Sequence, residues 1–91
     1  MTSTLHLALK TEYFRDIESG CKKFEYRLYN DYWRKRLEGR DYANIRLTLG
    51  YPKRDDISRI LERQYKGYEV QTITHKHFGS DPVKVFAIRV N

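Results

Sequence analysis

Cysteine is nearly absent. Cys21 alone cannot close an intramolecular disulfide, and it excludes a metal site built from several thiolates. No apolar run approaches the length needed to cross a bilayer, and the stretch from Met1 to Leu9 is too short and too polar for a secretory signal. These absences predict a reducing, cytoplasmic setting with no membrane partner. Repeats, low-complexity tracts and linkers are also missing, so the 91 residues read as a single domain spanning 1–91 with one core. Acidic residues are in deficit, 12 against 18 Lys and Arg, and the formal charge of +6 favours anionic partners, nucleic acid first. The same charge also suits a small protein that merely stays soluble.

What is present is aromatic. Eight tyrosines contribute to an aromatic share of 14%, and apolar residues reach 40%, enough for a packed core despite 33% charged residues. Leu5, Leu7 and Leu9 alternate with His6, Ala8 and Lys10 as a strand does, and Thr11 to Ser19 reads as a helix with Thr11 as cap, Tyr13 and Ile17 on one face and Gly20 as stop. Asn30 or Asp31 caps a second helix that ends at Gly39, with Trp33 and Leu37 inward. Ile45, Leu47 and Leu49 mark another strand, ended by Gly50-Tyr51-Pro52. Residues 55–63 are expected to be strand, Lys66-Gly67 a turn, Tyr68 to His75 a strand, and Val83 to Val90 the last strand. The fold class is therefore α+β.

Chemistry concentrates in Gly20-Cys21-Lys22-Lys23-Phe24-Glu25-Tyr26-Arg27. In a strand, Lys23, Glu25 and Arg27 share one face, Phe24 and Tyr26 take the other, and Lys22 lies at the turn leading in. A carboxylate between cations can bind an anion, hold the polar edge of a base or activate water. The pattern equally suits a solvated strand face with cross-strand ion pairs. Arg34, Lys35, Arg36 and Arg40 form a basic patch on the second helix, a phosphate-binding candidate whose alternative is a solvated helix face. Tyr29, Tyr32 and Trp33 beside it offer rings on which bases stack. Tyr51 sits in a turn where its ring can stack on a ligand or simply pack. His75-Lys76-His77 puts two imidazoles on one strand face, but a metal needs a third ligand and only His6 remains, so no metal is expected. His75 alone can serve near a cleft by moving protons.

The order of Gly20, Lys22, Glu25 and Arg27 after the first helix resembles the signature of the ASCH family, small proteins related to the PUA-like barrel, in which Gly-x-Lys-x-x-Glu-x-Arg stands at that place. The surrounding order of elements is similar over nearly the whole chain. The resemblance implies a small β-barrel with two or three short helices, a ligand cleft beside the signature, and a link to nucleosides or RNA. One activity of that family is removal of acyl groups from the exocyclic amine of acylated cytidine. Lys22 matches its signature lysine, whereas Glu25 stands where that enzyme carries a nucleophilic threonine, so a covalent hydroxyl mechanism does not carry over. The consistent scheme makes Glu25 a general base on water, Lys22 the stabiliser of developing negative charge, and Arg27 the group that orients Glu25 or the substrate. Tyr29, Trp33, Tyr51 and His75 are the expected substrate contacts. Neither a cofactor nor an obligate protein partner is called for. RNA binding without chemistry, through Arg34, Lys35, Arg36 and Arg40, is the alternative, and cleavage of single-stranded RNA a third. A further carboxylate, Glu69 or Asp81, is a candidate to join the site.

Overall fold

The computed structural model describes residues 3–53, 56–75 and 79–91. Its elements run β1 (Thr4–Leu9), α1 (Thr11–Glu18), β2 (Phe24–Leu28), α2 (Asp31–Leu37), β3 (Asn44–Leu49), a turn of 3₁₀ helix (Ile57–Arg59), β4 (Ile60–Gln64), β5 (Tyr68–Ile73) and β6 (Val83–Arg89). Two three-stranded sheets result, ordered β1-β3-β4 and β2-β6-β5, so the domain is α+β with two α-helices and six strands. Among the described residues no ladder joins the two sheets into a closed barrel. No helix of the described residues is long and apolar enough to cross a membrane.

Alternation explains the core. Leu5, Leu7 and Leu9 of β1 are buried while His6 and Ala8 face out, and parallel register sets Leu5, Leu7 and Leu9 beside Ile45, Leu47 and Leu49 of β3. From the other sheet, Phe86 and Ile88 of β6 enter the same core, which Phe14 and Ile17 of α1 and Leu37 of α2 complete. Val85 to Ile88 are all buried, as befits the central strand of its sheet.

Local chemistry sets the ends. Gly20 takes φ 87°, the left-handed conformation that glycine adopts without steric cost, and the chain turns straight into the signature. Asn30 caps α2 by accepting from the Trp33 backbone N–H at 3.0 Å. Thr11, expected as the cap of α1, is instead its first residue. Lys10 occupies the cap position with extended backbone and no side-chain cap bond. The strand expected over 55–63 is shorter. Ile57–Arg59 is a helical turn because the Asp56 carboxylate accepts from the Ser58 hydroxyl at 2.7 Å and pairs with Arg59 at 3.4 Å, and such local bonds compete with extended chain. β5 likewise stops at Ile73, short of His75.

One tyrosine ties the fold to pH. Burial, then the neighbouring Tyr68, Tyr42 and Asp41, pushes the Tyr65 hydroxyl from its ordinary 10.0 up to about 12. The fold therefore favours the neutral phenol: the contribution is complete below pH 10.0 and is lost as pH rises toward 12. A series of melts across that window is expected to show Tm falling with pH, and falling less steeply in Tyr65→Phe. Parallel slopes in the two proteins would remove Tyr65 as the cause.

Candidate functional site

Glu25 is the one buried charged residue among those described, 5% exposed, and everything around it is arranged to hold a carboxylate there. Strand pairing sets Glu25 opposite Ile88 and Arg27 opposite Phe86, so both side chains point to the side on which those two residues enter the core. Arg27 Nη1 donates to Glu25 Oε2 at 2.5 Å and to the Tyr26 carbonyl oxygen at 2.9 Å, while its Nη2 donates to the Ala8 carbonyl oxygen at 3.1 Å, bridging to β1 of the other sheet. The guanidinium carbon also lies 5.4 Å from the centre of the Trp33 ring, within cation–π range. Lys22 Nζ stands 3.8 Å from Glu25 Oε1. The two carboxylate oxygens thus differ: Oε2 is tied closely to Arg27, and Oε1 faces Lys22 at the longer distance.

Lys22 takes the place that alternation gave to Lys23. Lys23 precedes β2 and is exposed, whereas the turn after α1 carries Lys22 over the rings of Tyr13 and Tyr26, at 5.3 and 4.8 Å. That turn is pinned from a distance. The Lys22 N–H donates to the Asp16 carbonyl oxygen at 3.1 Å, and the Asn91 side-chain amide donates to the carbonyl oxygens of Ile17 at 2.9 Å and Lys22 at 2.7 Å. Asn91→Ala removes both of the latter, and a loss of about 1 kcal/mol in urea unfolding is expected from hydrogen bonds of this kind. Unchanged stability would mean that water replaces the amide without cost.

Above the array opens a cavity of about 350 Å³, walled by Tyr13, Tyr26, Trp33 and His75 with Lys22, Glu25 and Arg27 on its polar side. Its size falls within the range of small-molecule sites, and its make-up, apolar walls with a few convergent polar groups, is the usual one. Tyr13 and His75 stand with ring centres 6.1 Å apart. Partial burial, then the charge of Glu12 and a hydrogen bond to that carboxylate, and last the charge of Glu25, raise the Tyr13 hydroxyl above its ordinary range.

The expected site residues therefore divide. Lys22, Glu25, Arg27, Trp33 and His75 converge on this cavity. Tyr51 lies outside it, on a second cavity that borders the first. Tyr29 joins neither: it packs on Phe86 with ring centres 4.9 Å apart, under Lys84 and Arg34, and its hydroxyl donates to Glu38 at 3.2 Å. The basic patch is exposed, yet much of it has intramolecular work. Arg34 pairs with Glu38 at 3.0 Å, Arg36 stacks on Tyr32 at 3.4 Å, and Arg40 donates to the Lys35 carbonyl oxygen at 2.9 Å. Glu69 pairs with Arg89 and Asp81 lies in an exposed loop, so neither carboxylate lines the cavity. Lys76 and His77 lie outside the described residues. Two walls escaped the sequence reading. Tyr13 was paired only with Ile17 on one face of α1, where the structure buries Phe14 beside Ile17, and Tyr26 was set on the face of β2 away from Glu25. Tyr26 lies within the signature, which was the available signal, whereas Tyr13, nine residues before Lys22, gave none.

Compared with protein-family models, with curated proteins and with solved structures, the chain matches none.

Proposed function

We propose that this is an ASCH-like, PUA-related domain acting on a nucleoside, and that it hydrolyses the amide linking an acyl group to the exocyclic amine of cytidine. The observation that supports this reading best is the buried Glu25, with one oxygen held by Arg27 and the other facing Lys22, at the foot of an aromatic-walled cavity of about 350 Å³. Rings such as Tyr26 and Trp33 suit the faces of a planar heterocycle, and a carboxylate suits the amine edge of cytosine.

In this scheme Glu25 Oε1 takes a proton from water as the water oxygen bonds to the acyl carbon. Lys22 stabilises the negative charge that gathers on the carbonyl oxygen. Collapse breaks the carbon–nitrogen bond, the departing amine receives the proton from Glu25, and the acyl group leaves as a carboxylic acid. Arg27 fixes Oε2 so that Oε1 points at the water.

The test is turnover of acetylcytidine by the purified domain, with released cytidine read by chromatography and Glu25→Gln as the matched control. Release that depends on Glu25 supports the amidohydrolase. Absence of release by the wild type overturns it and leaves RNA binding, or cleavage of single-stranded RNA, as the reading to pursue.

A further inference from the structure

The cavity above Glu25 does not stand alone. A second depression of about 560 Å³ shares Ala8, Arg27 and Trp33 with it, so the Arg27–Ala8 hydrogen bond and the Trp33 indole form a party wall with space on both sides. A third, of about 640 Å³, shares Arg46 and Ile60 with the second. The three depressions therefore border one another in series.

The second depression is equipped differently from the first. Gly50, at φ 65°, turns the chain out of β3 so that Tyr51 stands 96% exposed on its rim. Tyr32, 53% exposed, lines the same space, edge-on to Trp33 with centres 5.1 Å apart and backed by the Arg36 guanidinium at 3.4 Å. Isolated exposed rings are ordinary on a protein surface. Here two of them face one depression that also holds Arg27 and Arg46, the latter anchored by Glu62 through its Nε at 2.8 Å. Rings and guanidinium groups lining one depression suit the bases and phosphates of a single strand.

We infer that the second cavity is a subsite for the nucleotide adjoining the one in the first, with Tyr51 as its stacking platform, so that the ligand is a cytidine within single-stranded RNA rather than a free nucleoside. The inference rests on the nucleoside reading of the first cavity, but it makes a separate claim. The party wall sets the step between neighbouring bases. The base on the far side meets Tyr51 and Tyr32, and the connecting phosphate passes the cationic rim. Among the described residues no ring stacks on Tyr51.

Calorimetric titration at fixed salt tests this with three probes: acetylcytidine, its methyl phosphodiester, and dinucleotides joining acetylcytidine to uridine on either side. The diester supplies the phosphate charge without the second base. A dinucleotide of one polarity is expected to bind about tenfold tighter than the diester, the lower part of the range for stacking one base. Tyr51→Ala should bring that ratio to within about threefold, and so exposed a side chain carries no risk to folding. A ratio near one in both polarities, or a gain that survives Tyr51→Ala, overturns the subsite even if acetylcytidine is turned over. A gain that depends on Tyr51, without turnover of any probe, upholds the subsite and overturns the amidohydrolase. Failure of every probe to bind overturns both.

Discussion

Glu25→Gln is expected to lower acetylcytidine turnover by a factor of about 10² to 10⁴, the usual contribution of a positioned general base. The substitution keeps the shape of the side chain and its acceptor oxygen, so Arg27 and the aromatic walls retain their places. What disappears is the capacity to take a proton from water. The variant also leaves Lys22 and Arg27, whose side chains are 16% and 18% exposed, without their counter-charge, and a stability loss of about 2 kcal/mol is expected, typical of a hydrogen bond to a charged group. Circular dichroism should still report a folded protein. Turnover within about threefold of wild type would reject Glu25 as the base. Lys22→Ala provides the complementary reading: it should lower turnover by a factor of about 10² to 10³ through lost charge stabilisation.

Arg27→Ala is expected to have the largest effect on stability, a loss of about 3–5 kcal/mol, because it takes the short ion pair away from a buried carboxylate. Arg27 satisfies the Glu25 carboxylate, the Tyr26 carbonyl and the Ala8 carbonyl at once, and it lies against Trp33 of α2. Its removal thus unties β2, β1 and α2 together. Arg27→Lys should recover little, since an ammonium cannot span three acceptors that a planar fork reaches. The double variant Arg27→Ala with Glu25→Leu separates pairing from packing. If charge burial is the cause, it should be more stable than Arg27→Ala alone. Equal instability would assign the loss to the packing of the arginine stem.

Legibility followed the range of the interaction. The shared face of Glu25 and Arg27 was readable because side chains alternate along a strand, and Trp33 and Leu37 because they are four apart on a helix. Lys22 was named from the signature, but its contact with Glu25 depends on the turn after Gly20 and on Asn91, which no local pattern reveals. Tyr13 illustrates competition within a helix. Tyr13 and Phe14 can each join Ile17 on one helix face, at spacings of four and three, and the sequence pattern singled out only the former. The structure buries Phe14 completely and leaves Tyr13 at the cavity. The second cavity was invisible because it arises where Ala8 of β1 lies beside Thr48 of β3, a register between segments far apart in the chain.

The same parallel pairing governs how such a chain must assemble. β1 joins β3 only after α1, β2 and α2 have been passed over, and β2 finds its partner in β6, the last strand. The first three strands alternate between the two sheets and β4 rejoins β3, so a fragment ending after β4 holds one complete sheet and a β2 with neither of the other strands of its own sheet. Neighbours in the chain supply the β3–β4 and β5–β6 pairings, but the other two, β1–β3 and β2–β6, need long loops closed before their contacts reward it. Refolding is therefore set by topology in the slow range for a domain this small, roughly milliseconds to seconds, and proceeds as one event in which the cavity exists only when both sheets do.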